Sequence, residues 1–174
     1  YIVMQSNKKK IKYLITGGSG FIGSNLANYI NKFNFAKVYI LDIKSPPKCL
    51  SKNINYKQIN LLNKIEINSY IKNLKPNYIF HLAARTDLNS TKISSYKVNY
   101  EGVRNLIEAC NKLSSIKRVI FASSMLVCRL GYIPKNDYDF LPPNAYGSSK
   151  MLGEKVIRES NINFSWCIVR PTSI

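Results

Sequence analysis

The chain has 174 residues, 45% of them hydrophobic, and 26 Lys and Arg against 9 Asp and Glu, a formal charge of +17. Length and apolar content suit one domain with a substantial core, because a domain of about 150 residues removes roughly 68–70% of its unfolded surface from water, and they exclude disorder as the overall description. The charge invites a nucleic-acid reading, but the lysines are scattered and only KKKIK at 8–12 forms a run, so nucleic acid is not the expected partner.

The first residues, YIVMQSNKKKIK, place apolar residues before the lysines, the reverse of a secretory signal. Met4 is the expected start, residues 1–10 a basic tail, and 11–174 the folded domain. Ile11 to Thr16 reads as a strand ending in glycines, followed by apolar residues at helical spacing from Phe21 to Phe33. Lys37 to Asp42 is a second strand, continuous in its apolar residues as a parallel strand covered on both faces must be. A weaker strand at 54–59, a helix at 63–74 stopped by Pro76 and a fourth strand at 78–82 follow. Residues 94–113 carry Tyr96, Tyr100, Val103, Leu106, Ile107 and Cys110 at spacings of three and four, which predicts one long helix. Strands at 118–123 and 163–169 bracket a polar loop at 129–144 and a helix at 145–159. This alternation predicts an α/β fold, a doubly wound parallel sheet with helices on both faces and right-handed crossovers.

The longest apolar stretch, Val119 to Cys128, is broken by Ser123 and Ser124 and falls short of the roughly 18 residues of a membrane span, so no membrane partner is expected. Cys49, Cys110, Cys128 and Cys167 form no C-x-x-C pair, which suits reduced thiols in an intracellular, cytoplasmic protein. With one histidine, His81, no metal site is expected.

Between the first strand and helix lies Gly17-Gly18-Ser19-Gly20-Phe21-Ile22-Gly23. Glycines at this place allow a tight turn, let a diphosphate approach the backbone and leave the helix N-terminus facing it. A ligand-free glycine turn would look the same, and Asp42 decides between the two. It ends the next strand about 20 residues on, where a carboxylate takes the adenosine ribose and repels a 2′-phosphate, so NAD is expected over NADP. Tyr146 and Lys150 stand four apart on one helical face, and Ser124 follows the fifth strand at the carboxyl edge of the sheet. A nearby ammonium favours phenolate, which makes a tyrosine usable as an acid/base near neutrality. Ser124 would then hold the substrate hydroxyl whose proton Tyr146 handles, while Lys150 holds a cofactor ribose.

Taken together, TGGSGFIG at 16–23, Asp42, HLAA at 81–84, Asn99-x-x-Gly102, FASSMLV at 121–127, YGSSK at 146–150 and VRP at 169–171 resemble the extended short-chain dehydrogenase/reductases. The closest likeness is to the NAD-dependent nucleotide-sugar epimerases and dehydratases. The resemblance implies a Rossmann-type domain with NAD as cofactor. Gly17, Gly20, Phe21, Ile22 and Gly23 would line the diphosphate and Asp42 take the ribose. Leu82, Ala83 and Ala84 would pass beneath the cofactor, Asn99 and Lys150 belong to the cofactor set, and Pro171 would approach the nicotinamide. Ser124, Tyr146 and Lys150 are the implied catalytic set, with His81 structural.

Where dehydratases of the family carry an Asp-Glu pair after the catalytic hydroxyl residue, this chain has Met125 and Leu126, which disfavours dehydration. Cys128 replaces a customary tyrosine, Asn60 a customary aspartate near the adenine, and Ser173 a customary substrate-binding asparagine. The resemblance implies a nucleotide-sugar substrate, a UDP-sugar favoured, and a homodimer. It also implies a carboxyl-terminal substrate domain absent from these 174 residues. A 4-epimerase is the expected activity, with a reductase or dehydrogenase, or a non-catalytic dinucleotide-binding module, as the alternatives.

Overall fold

The computed structural model describes residues 10–172, so Met4, most of the basic tail and Ser173 lie outside the described residues. Six strands, β1 (Ile11–Thr16), β2 (Ala36–Asp42), β3 (Asn55–Gln58), β4 (Tyr78–His81), β5 (Arg118–Ala122) and β6 (Ser165–Val169), form one sheet in the order β3-β2-β1-β4-β5-β6. Every neighbouring pair is parallel. This is the doubly wound Rossmann order, with the direction of winding reversing between β1 and β4.

The four α-helices are α1 (Phe21–Ile30), α2 (Lys64–Leu74), α3 (Glu101–Cys110) and α4 (Ala145–Glu159). Alternate residues of each strand face opposite layers. Ile15, Val38 and Ile40 pack with Ala27 and Ile30 of α1, whereas Leu14, Leu41, Ile79, Val119 and Phe121 pack with α2, α3 and Ile157 of α4. The helices therefore divide one against three, because β2 reaches β3 through a loop instead of a helix.

Local signals explain the helix boundaries. Asn63 caps α2, its side-chain oxygen accepting from the Glu66 N–H at 3.2 Å, and Lys75 ends that helix in the left-handed region at φ 51°. Asn144 caps α4 in the same way through the Gly147 N–H at 2.8 Å.

The single long helix expected over 94–113 is not what forms. Residues Ile93–Asn99 make a 3-10 helix, the backbone leaves helical angles at Tyr96 and Tyr100, and α3 starts only at Glu101. Hydrogen bonds to the preceding loop account for the break. The Tyr96 hydroxyl donates to the Asp87 carbonyl at 2.8 Å, and the Asn99 amide holds both the N–H and the carbonyl of Arg85. These bonds draw the segment inward, which apolar periodicity does not register.

Gly153 on α4 faces this segment, and a Cβ there would stand 2.5 Å from the Asn99 carbonyl oxygen. Gly153→Ala is expected to push α4 away and to cost about 1–3 kcal/mol of stability. Urea unfolding followed by fluorescence of Trp166, the one tryptophan, reads this as a lower midpoint at unchanged slope.

Candidate active site

The site lies at the carboxyl ends of β1, β4 and β5, where the reversal of winding opens a crevice. Gly17 leaves β1 at φ 73°, and a Cβ on it would meet the Ala83 nitrogen at 2.7 Å. A Cβ on Gly23 would collide with the Gly17 carbonyl oxygen, so the turn closes only with glycine at both places. Leu82, Ala83 and Ala84, continuing from β4, thus lie directly against the glycine turn, and the Ala83 N–H donates to the Thr16 hydroxyl at 3.3 Å.

Gly20 is the N-cap of α1 and supplies no capping side chain, which leaves the helix N-terminus free to face an anion. Phe21 and Ile22 are exposed on that first turn. At the end of β2, Asp42 accepts from the Ser19 N–H and from the Lys44 N–H, both at 3.0 Å. The carboxylate is therefore held from two sides, across the glycine turn from the β4 exit. A backbone cradle that side chains would fill, a free helix N-terminus and an oriented carboxylate fit a dinucleotide.

The second group comes from β5 and α4. Ser124 follows β5 and accepts from the Leu126 N–H at 3.1 Å, opening a short 3-10 turn at Met125–Val127. The Met125 N–H donates to the Pro171 carbonyl at 3.1 Å, which brings Pro171 beside Ser124. Tyr146, in the first turn of α4, rests edge-on against the ring of Tyr96, centroids 6.2 Å apart. Burial raises its phenol above the ordinary value, and the Ser124 hydroxyl facing it opposes that rise.

Lys150, one turn further along α4, is buried, and its ammonium donates to the Ala122 carbonyl at 2.6 Å. Burial pulls the ammonium down to about 8, while Glu154 acts in the other direction. Lys150 thus sits under the end of β5, anchored to backbone. Asn99 follows the loop after β4. It is buried with its amide spent on Arg85 and on the Ser149 hydroxyl, at 2.9 Å, so it ties the loop after β4 to α4.

Residue-by-residue reading of the sequence passed over Glu154, which is buried and gripped by Arg170 through two 2.8 Å bonds. Arg170 also donates to the Asp137 carbonyl at 3.1 Å, so one carboxylate fastens α4 to the end of β6 and to the loop before α4. The signal was present, since Tyr146, Lys150 and Glu154 recur every four residues and share one helical face. A cavity of about 10 Å³ borders Lys150, Glu154, His81 and Ser123.

His81 is buried in β4 with its Nδ1 2.8 Å from the Thr16 hydroxyl, and burial pushes its imidazole down to about 3. The unfolded chain therefore binds a proton below about 6.5 that the folded chain refuses until about 3. Stability from this source is full above pH 6.5 and falls as the pH drops through that window, by up to about 1.4 kcal/mol per pH unit. His81→Gln is expected to flatten the acid limb of a stability-against-pH curve by about one proton, measured by urea unfolding at a series of pH values.

Among the described residues no helix is long and apolar enough to cross a membrane, and no three His, Cys, Asp or Glu side chains converge as metal ligands. The geometry defines a dinucleotide-binding α/β domain with Ser124 and Tyr146 facing each other at the crevice and Lys150 one turn further along α4. Comparison with known proteins agrees: residues 13–174 match the model of the NAD dependent epimerase/dehydratase family. The chain belongs to that family. It is 28% identical to the UDP-glucose 4-epimerase of Mycoplasma pneumoniae, covering 87% of this chain and 48% of that protein. It is 26% identical to human short-chain dehydrogenase/reductase family 42E member 1, covering 95% of this chain and 46% of that protein. The structure of the Thermotoga maritima UDP-glucose 4-epimerase with UDP-glucose superposes with a TM-score of 0.79 at 23% identity, covering 92% of this chain and 55% of that one. The chain spans about half the length of the curated relatives it matches.

Proposed function

We propose that this chain binds NAD and that the protein to which it belongs is a nucleotide-sugar 4-epimerase, acting on a UDP-sugar. The observation that carries the reading is the meeting of Ser124, Tyr146 and Lys150 at the same sheet edge as the Gly17 to Gly23 cradle. The match to a UDP-glucose 4-epimerase over most of this chain supports the substrate class.

Bound NAD supplies a hydride acceptor that can give the hydride back. The glycine turn and the α1 N-terminus hold the diphosphate, and Asp42 accepts from the adenosine ribose hydroxyls. Ser124 would orient the sugar hydroxyl, and Tyr146 would take its proton and later return it. Lys150, held by the Ala122 carbonyl, would present its ammonium to a cofactor ribose and favour the phenolate. A cytoplasmic homodimer, paired through the α3 and α4 faces, is the form this reading takes.

The absence of acidic residues at Met125 and Leu126 speaks against dehydration. A simple dehydrogenase is the competing activity, since the same Ser, Tyr and Lys serve either reaction. The two differ in redox balance. Incubated with NAD and UDP-galactose, the protein is expected to yield UDP-glucose with no accumulating NADH, whereas a dehydrogenase accumulates NADH in step with product. Tyr146→Phe is expected to lower turnover by about 100-fold or more with NAD affinity little changed, because a positioned acid/base contributes roughly 10²–10⁴-fold. Turnover that survives this substitution would remove Tyr146 from the mechanism.

A further inference from the structure

Lysine is scattered along the sequence, but the fold segregates its counter-charges. All strands run in one direction, so strand starts and helix ends share one edge of the molecule, opposite the crevice. Of the nine carboxylates, Asp42, Glu66, Asp87, Glu101 and Asp139 occupy the crevice side, at a strand end, in first helical turns or in the loops after β4 and β5, and Asp137 pairs with Arg158 along the flank of α4. Glu108 and Glu154 lie within helices, paired with Lys64 and Arg170. Only Glu159 ends an element on the far edge, where Lys10, Lys32, Lys37, Lys75, Lys117 and Arg118 are all exposed.

Within this basic edge three aromatic rings stand out of the surface. Tyr29, Phe33 and Phe35, at the end of α1 and in the turn to β2, are 59%, 40% and 54% exposed, where side chains of this size are ordinarily covered. The rings pack on one another, Phe33 stacked on Phe35 at 5.4 Å and edge-on to Tyr29 at 5.5 Å. The Ile11 N–H donates to the Phe35 carbonyl at 2.8 Å, fixing the patch to the start of β1 next to Lys10. Lys32 lies between Tyr29 and Phe33, and Lys37 follows Phe35 by two residues.

We propose that this edge docks on an anionic lipid bilayer. A cluster of exposed rings ringed by lysines and nearly free of carboxylate matches a surface that is negative outside and apolar just beneath. Aromatic rings enter the headgroup layer while lysine stems lie along it with their ammonium groups in water. Single-stranded nucleic acid is the less suitable partner, because bases stack on open ring faces and the facing sides of Phe33 and Phe35 are occupied by each other. The crevice opens at the other end of α1, a helix about 15 Å long, so docking leaves the cofactor site facing solvent. Surface attachment of this kind needs no spanning segment.

The test is co-sedimentation of the protein with vesicles of phosphatidylcholine alone and of phosphatidylcholine with phosphatidylserine, at low and moderate salt. Binding to the phosphatidylserine vesicles is expected to be at least about tenfold tighter than to the neutral ones and to weaken as salt is raised. Two double variants, Phe33→Ser with Phe35→Ser and Lys32→Glu with Lys37→Glu, are each expected to lose about tenfold or more of that binding while retaining the far-ultraviolet circular dichroism of the parent. No binding, equal binding to both vesicles, or binding unchanged in both variants would overturn the proposal. So would a single-stranded oligonucleotide that displaces the protein from vesicles and whose own binding survives loss of the two phenylalanines.

Discussion

The structure depends on one backbone-to-backbone approach, between the turn that leaves β1 and the chain that leaves β4. Gly17 takes a left-handed conformation and has no room for a Cβ against Ala83, and Gly23 has none against Gly17. Because β1 and β4 are neighbours at the reversal of winding, this contact brings the start of α1, the end of β2 and the exit of β4 to one crevice. Asp42 is oriented by the same turn, through the Ser19 N–H, so the glycine cradle and this carboxylate form one unit.

A second constraint places the chemistry. α4 carries Tyr146, Lys150 and Glu154 on one face, and each is held by a different part of the molecule. Tyr96 supports Tyr146 from the loop side, the Ala122 carbonyl holds Lys150 under the sheet, and Arg170 clamps Glu154 to the end of β6. Asn99 and Ser149 join the loop after β4 to this helix. Three segments of the chain therefore converge on one helix, and Tyr146 and Lys150 are positioned by packing and a backbone hydrogen bond.

Much of this was legible in the sequence, for identifiable reasons. β1 and α4 fall at their expected limits because Gly17 and Asn144 mark the transitions chemically. The glycine turn and Asp42 gain meaning from each other's spacing, and the Tyr146 and Lys150 pair, weak as a spacing alone, gains it from Ser124 at the end of β5. What sequence hid depends on contacts between distant residues. The break in the helix over 94–113 comes from hydrogen bonds of Tyr96 and Asn99 to residues 85–90, and their apolar spacing concealed it. The spent amide of Asn99 and the direction of the Lys150 ammonium are likewise tertiary facts. The sorting of charge between the two edges becomes visible only when strand direction is known, since the lysines look random along the chain.

The central claim is that the crevice is a working NAD site whose specificity lies in Asp42. Titration calorimetry of the folded chain with NAD and, separately, with NADP tests it most directly. The account predicts NAD binding with NADP weaker by at least about tenfold, because the oriented carboxylate repels a 2′-phosphate. A folded chain that binds neither, or that binds NADP as tightly as NAD, would contradict it.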